Sequence, residues 1–307
     1  MGTPEFSIPT LKKINECHNL IGVFTQPPRP SGRGMNLKKS PIHLLAEKLN
    51  LNVYCPKLLN NKKIENEIKN FKPDFIVVIA YGLILPEKIL KIPKFGSING
   101  HASLLPKWRG ASPIQRSIEA GDKETGCTTM LMNSGLDTGP ILLQKKINIL
   151  NNDDSITIYE KLSQLTSECI IETLEKFSKG TIHQIEQNQN KVSYAKKLKK
   201  EEGMIQWELS SLEIFNKFRA FKSFPGSFTF FNLDQLNVID GFPVEKEHNK
   251  KPGTILSTKN SILVACGNKT SFSIKQIKKT GKKILSTNEF LNGFKLKEGD
   301  VFDSKNK

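Results

Sequence analysis

The chain has 307 residues, 37% hydrophobic and 25% charged, which suits a globular protein with room for two domains. Its formal net charge of +16 is spread along it, with 28 Lys/Arg against 18 Asp/Glu over residues 1–199 and 18 against 12 over 200–307. That excludes an acidic enzyme with a basic tail and suits a polyanionic partner, nucleic acid or an anionic membrane surface, about as well as a lysine-rich composition that only solvates the surface.

Along the chain, strand and helix signals alternate up to about residue 150. Residues 20–25 form a short apolar run, and Ser40-Pro41 reads as the N-cap and first position of a helix over 42–49. A strand is predicted at 52–55, a polar helix at 62–70, and a buried strand at 74–80, whose DFIVVIA is rich in β-branched residues. A short helix at 86–91 precedes a strand at 96–101, and Ser112-Pro113 opens a helix that Gly121 stops. Strands are predicted at 127–132 and 141–149, and a long helix at 155–178 with Ile158, Leu162, Leu165, Cys169 and Leu174 on or near one face. The polar stretch 181–203, with Lys196, Lys197, Lys199 and Lys200, reads as a basic linker. After it come one helix (212–221) and short strands at 227–231, 236–240, 253–256, 261–266 and 271–277. The fold class predicted is α/β, a doubly wound, mostly parallel sheet, followed by a smaller β-barrel of the oligonucleotide-binding kind, for which a β-sandwich would look similar.

No run reaches the roughly 18 apolar residues of a membrane span, and Met1–Glu5 does not read as a secretion signal. The five cysteines form no C-x-x-C pair and point to reduced thiols in a cytoplasmic setting. His18, His43, His183 and His248 form no ligand cluster, so no metal is expected.

The informative stretch is SINGHASLLPKWRG, followed by SGLDTG. On a strand, Asn99 and His101 face the same way, at the carboxyl end where open α/β sheets place their sites. An amide can donate to a developing oxyanion, an imidazole can take a proton near neutrality, and Asp137 in its glycine-rich turn can orient that imidazole. A structural histidine and a turn-forming aspartate fit the spacing as well.

N-x-H-x-S-L-L-P-x-x-R-G with the later G-L-D-T-G resembles the formyltransferases that use 10-formyltetrahydrofolate. GTPEF (2–6), TQPPRPSGRG (25–34), AYGLILP (80–86), YAKKL (194–198) and IQW (205–207) look like the branch of that family that formylates methionyl-tRNA. The likeness is dense to about residue 226. It implies a catalytic domain over 1–180, the linker at 181–203 and a tRNA-binding β-barrel over 204–307, in a monomer. It implies that the α-amine of initiator methionyl-tRNA attacks the formyl carbon, that Asn99 holds the oxyanion, that His101 handles the amine proton and that Asp137 holds His101. Folate contacts carry over to Ser103, Leu104, Leu105 and Pro106. Residues 80–86 would wall the pterin, with core packing the equal alternative for most of those side chains. The basic, proline-flanked loop 26–39 offers Arg29, Arg33, Lys38 and Lys39 to an RNA stem, Arg33 first among them. Lys196 and Lys197 follow, with Arg219 and Lys222 behind. The same triad also serves glycinamide ribonucleotide, formyltetrahydrofolate hydrolysis and sugar nucleotides, and the basic loop favours tRNA. Position 100 is glycine where the family has a larger residue. A hydrophobic strand ahead of Gly2, central in the family's sheet, is missing when the chain is read from Met1, so a start further upstream is expected.

Overall fold

The structure, a computed structural model, describes residues 1–31 and 35–303. The chain divides into two compact units: Met1–Ile114 with Lys123–Ile149 and Thr157–Ala195, and Gln115–Asp122 with Leu150–Ile156 and the residues from Lys196 onward. The stretch 181–203, expected as a linker, is therefore split, with 181–195 belonging to the first unit.

In the first unit the β-branched run yields the strand Ile76–Val78, parallel to Ser97–His101 with Val78 opposite Asn99. Ser97–His101 also pairs antiparallel with Glu124–Leu131, which pairs antiparallel with Ile141–Asn148. The expected mostly parallel sheet is thus mixed. The connection between the last two strands, residues 132–140, holds no helix and falls short of the dozen or more residues a parallel crossover needs, so they form a hairpin-like pair. The 24-residue helix Ser155–Ser178 buries Ile158, Leu162, Cys169 and Ile170 completely. It explains Gly100: a Cβ there would stand 2.6 Å from Ile79 and 2.7 Å from Thr166, so this helix has settled onto the sheet where the glycine leaves space. A helix that the sequence pattern did not predict, Ile8–Cys17, buries only Thr10 and Leu11.

Met1–Gly2 lies between the parallel pair Val23–Phe24/Val53–Tyr54 and the strand Ile76–Val78. The Gly2 N–H donates to the Phe24 carbonyl at 3.0 Å, and the Ile79 N–H to the Met1 carbonyl at 2.9 Å. The Met1 amine donates to the Val77 carbonyl at 2.6 Å, and burial pushes that amine down to about 5. A cavity of about 450 Å³ adjoins it, lined by Ile14, Val23, Phe75, Ile76, Leu174 and Phe177 among others.

In the second unit, helix Ser211–Ala220 starts at a capping box of Ser210 and Glu213. An antiparallel sheet follows in the lateral order Ser227–Phe231, Asp234–Val244, Ser271–Lys279, Ile262–Ala265, Ile255–Ser257, with Leu285–Ser286 beside Ser271–Lys279. Its core is Trp207, Leu236, Phe272, Ile274 and Ile277, all fully buried. The two edge strands do not pair with each other. Single bridges, Phe230 to Asp303 and Thr254 to Val301, reach from the edges to the last described stretch. The sheet curls into a half-barrel, rather than the oligonucleotide-binding type of barrel expected.

Candidate active site

Asn99 and His101 share one face of Ser97–His101, opposite the face on which Gly100 meets the long helix. Into the first face comes the turn 133–139. Its Gly139 has no room for a side chain, since a Cβ would collide with the Leu131 carbonyl. Asp137 takes a left-handed backbone, φ +53°. Its Oδ2 accepts from the Gly110 N–H at 2.8 Å and lies 3.7 Å from His101 Nδ1. Its Oδ1 accepts from Asn99 Nδ2 at 3.5 Å. The three residues singled out in the sequence are therefore gathered at one place.

The other imidazole nitrogen, His101 Nε2, is 2.9 Å from the Trp108 carbonyl oxygen. A carbonyl can only accept, so Nε2 carries the hydrogen and the neutral ring presents its lone pair at Nδ1. The backbone of Trp108, rather than Asp137, sets the tautomer. Asp137 stands where it would meet the Nδ1–H of an imidazolium. The His101 side chain is 7% exposed and that of Asp137 12%, so solvent screens the interaction between them little.

Apart from Tyr194-Ala195 at its end, the sequence pattern did not single out the segment 185–195, which crosses behind the site. Ile185 exchanges hydrogen bonds with Ile141, and Tyr194–Ala195 runs parallel to Arg109–Gly110. The Trp108 N–H donates to Ser193 Oγ at 3.0 Å and the Arg109 N–H to the Ser193 carbonyl at 2.9 Å. Gln187, 4% exposed, donates from Nε2 to the carbonyls of Asp137 and Gly139 at 2.9 and 2.8 Å. Its Oε1 accepts from Arg109 Nε and Nη2 at 3.0 and 2.7 Å. The sequence signals here were the Arg of the R-G pair and the Tyr-Ala that pairs with it; a glutamine in a polar stretch carries none.

Of the expected folate contacts, Ser103 and Leu105 are buried, with Ser103 Oγ donating to the Lys107 carbonyl at 2.6 Å and the Leu105 N–H to Thr128 Oγ1 at 3.0 Å. Leu104 and Pro106 are half-buried. In 80–86, Tyr81 and Leu85 are core residues, whereas Ile84 is 91% exposed. Of the expected RNA contacts, Arg29 and Lys38 are exposed and pair across the short ribbon Arg29–Ser31/Asn36–Lys38. Lys39 is tied to Glu47 at 2.6 Å, and Arg33 lies outside the described residues. Lys196 and Lys197 are exposed on the second unit. Arg219 is not available to RNA: it is 8% exposed and caps backbone carbonyls of Leu150 and Asp153 at 2.9 Å each. Lys222 pairs with Asp154 at 2.8 Å. Among the described residues no group of three or more His, Cys, Asp or Glu is placed to hold a metal, and no helix is long and apolar enough to cross a membrane.

A carboxylate, an imidazole and an amide gathered on one face of an α/β sheet are the parts of an acyl-transfer site. The profile of the formyl transferase family matches residues 5–174, and that of the formyl transferase C-terminal domain matches 197–295. The chain belongs to the formyl transferase family. Its curated relatives include the methionyl-tRNA formyltransferase of Caldanaerobacter subterraneus subsp. tengcongensis, 41% identical over 303 residues and 98% of each chain. That of Thermodesulfovibrio yellowstonii is 42% identical over 97% of this chain and 96% of its own. Among solved structures, an N-formyltransferase from Helicobacter canadensis in complex with folinic acid and dTDP-3-aminofucose has the same fold, with a TM-score of 0.68 at 19% identity over 89% of this chain and 96% of its own.

Proposed function

We propose that this protein transfers the formyl group of 10-formyltetrahydrofolate to the α-amine of methionyl-tRNA, giving formylmethionyl-tRNA for translation initiation in the cytoplasm, and that it acts as a monomer. The observation that carries the reading is the His101 ring, pinned through Nε2 to the Trp108 carbonyl so that Nδ1 faces Asp137. The amine nitrogen attacks the formyl carbon, and the carbonyl oxygen becomes an oxyanion that Asn99 Nδ2 can meet with a hydrogen bond. The amine gives up a proton to His101 Nδ1, and the imidazolium so formed is stabilised by Asp137 Oδ2. Collapse breaks the bond from the formyl carbon to N10, which takes a proton and leaves as tetrahydrofolate.

The folate lies against residues 103–106, a reading supported by the family resemblance and by the apolar side chains of Leu104 and Pro106. In the second unit, the half-barrel with its edge strands bridged by 301–303, together with Lys196 and Lys197, serves as the barrel-like tRNA-binding domain. Arg29 and Lys38 on the first unit, and Arg33 beside them in sequence, meet the acceptor stem. Replacing His101 by Ala should cut formylation of methionyl-tRNA at least ~100-fold, read as formylmethionine released from the tRNA product. A variant that retains most of its turnover would contradict the role given to His101.

A further inference from the structure

Two residues at this site hold backbone conformations that side chains other than glycine rarely adopt. Trp108, whose carbonyl takes the His101 Nε2 hydrogen, has φ +65°, and Asp137 has φ +53°. Such conformations persist only where the surroundings impose them. What surrounds both is the segment 185–195 and Arg109. At the centre is one side chain, Gln187, whose amide has two N–H donors and two acceptor lone pairs. All four are used: two on the carbonyls of Asp137 and Gly139, and two on the Arg109 guanidinium. The chemistry fixes which way the amide points, because reversing it would set oxygen against two carbonyls and nitrogen against a guanidinium. Arg109 is 2% exposed and its main chain is continuous with Gly110, whose N–H holds Asp137 Oδ2. Gly110 itself sits at φ +118°, where a Cβ would come 2.8 Å from the Ala195 carbonyl. One buried amide thus ties the peptide that carries Asp137 to the peptide that grips its carboxylate.

We propose that Gln187 and Arg109 are positioning residues for the formyl transfer: their amide–guanidinium pair sets the Asp137 carboxylate opposite His101 Nδ1. The inference rests on the catalytic reading of His101 and Asp137 given above. Neither residue need touch a substrate; both act through Asp137.

Gln187→Glu is the informative change. It keeps an acceptor for Arg109 but removes both donors and turns a carboxylate oxygen toward the carbonyls of Asp137 and Gly139. Turnover of full-length Gln187→Glu, Asp137→Asn and the double variant is measured with methionyl-tRNA and 10-formyltetrahydrofolate, alongside thermal melting. Gln187→Glu should lower kcat at least ~10-fold with KM for both substrates within about threefold. In the Asp137→Asn background the same change should add less than about twofold, since a residue acting through Asp137 has nothing left to position. Gln187→Met, close in size and uncharged, serves in its place if Gln187→Glu melts below the assay temperature. Losses that multiply in the double variant, or an unchanged kcat in Gln187→Glu, overturn the positioning role alone. An Asp137→Asn variant as active as the parent overturns the catalytic reading beneath it.

Discussion

At the scale of single residues, the site divides its labour between side chains and backbone. The Trp108 carbonyl fixes the His101 tautomer, the Gly110 N–H fixes the Asp137 carboxylate, and only then do Asn99, His101 and Asp137 face one another. Replacing Asn99 by Ala should lower kcat by roughly 10²–10³-fold while KM for the folate moves little, because an oxyanion donor acts mainly in the transition state. Steady-state kinetics over both substrates would show it; a loss carried entirely by KM would assign Asn99 to binding instead. Gly110→Ala should be damaging by another route. At φ +118° with the Ala195 carbonyl in the way, the alanine forces the Arg109–Gly110 segment to move, and a fall of about 1–3 kcal/mol in unfolding free energy is expected. The gathering of Asn99, His101 and Asp137 was legible only in part: spacing put two of them on one strand face and the third in a glycine-rich turn but suited structural roles as well, and the resemblance of the surrounding motifs is what joined them. Trp108 and Gln187 were not. A backbone carbonyl leaves no mark in a sequence, and a glutamine among other polar residues gives no period or motif to read.

At the scale of elements, the most consequential feature is the lane between Val23–Phe24 and Ile76–Val78. In the chain beginning at Met1, a free amine sits buried there on the Val77 carbonyl, and burial lowers its pKa from the ordinary value near 8 to about 5. The folded state leaves the amine neutral between those limits, whereas the unfolded state protonates it. The contribution is fully present above about pH 8 and is lost as pH falls toward 5, by as much as about 4 kcal/mol. Denaturant melts across pH 5–8 should show that fall, and blocking the amine by acetylation should flatten it. An engineered extension of four or five β-branched residues ahead of Met1 has about 450 Å³ of apolar-lined space beside it, and should raise the melting temperature; an unchanged or lower value would mean that the lane does not accept an extended strand. Most elements could be read from pattern: the β-branched run of Ile76–Val78, the capped start of Pro41–Lys48 and the face of Ser155–Ser178 are all where periodicity put them. The direction of pairing was harder to read. Alternation of strands and helices suggested a mostly parallel sheet, yet Glu124–Leu131 and Ile141–Asn148 have no helix between them and pair antiparallel. Helix Ile8–Cys17 escaped notice because two buried residues in ten make too weak a stripe.

At the scale of the whole molecule, charge is consistent with the proposed acceptor without deciding it. A net +16, with basic residues in both units, makes tRNA affinity steeply dependent on salt. With about five phosphate contacts, raising salt from ~50 to ~200 mM should weaken tRNA binding by roughly 10²-fold, whereas KM for the folate should hardly move. Replacing Arg29 and Lys38 together by Ala should flatten that salt dependence; a double variant with the parent's slope would remove the ribbon from the interface. The charge count could not say which cations are free to act. Arg219 is spent on carbonyls inside its own unit and Lys39 on Glu47, while Lys196 and Lys197 stand in solvent.

The central claim, that the His101 site moves a formyl group onto an aminoacylated tRNA, is tested most directly by following tetrahydrofolate release from 10-formyltetrahydrofolate with and without methionyl-tRNA. Release that requires methionyl-tRNA and matches formylmethionyl-tRNA formed one for one is the predicted result. Release at the same rate without tRNA, or with deacylated tRNA in its place, would contradict it and make the site a hydrolase.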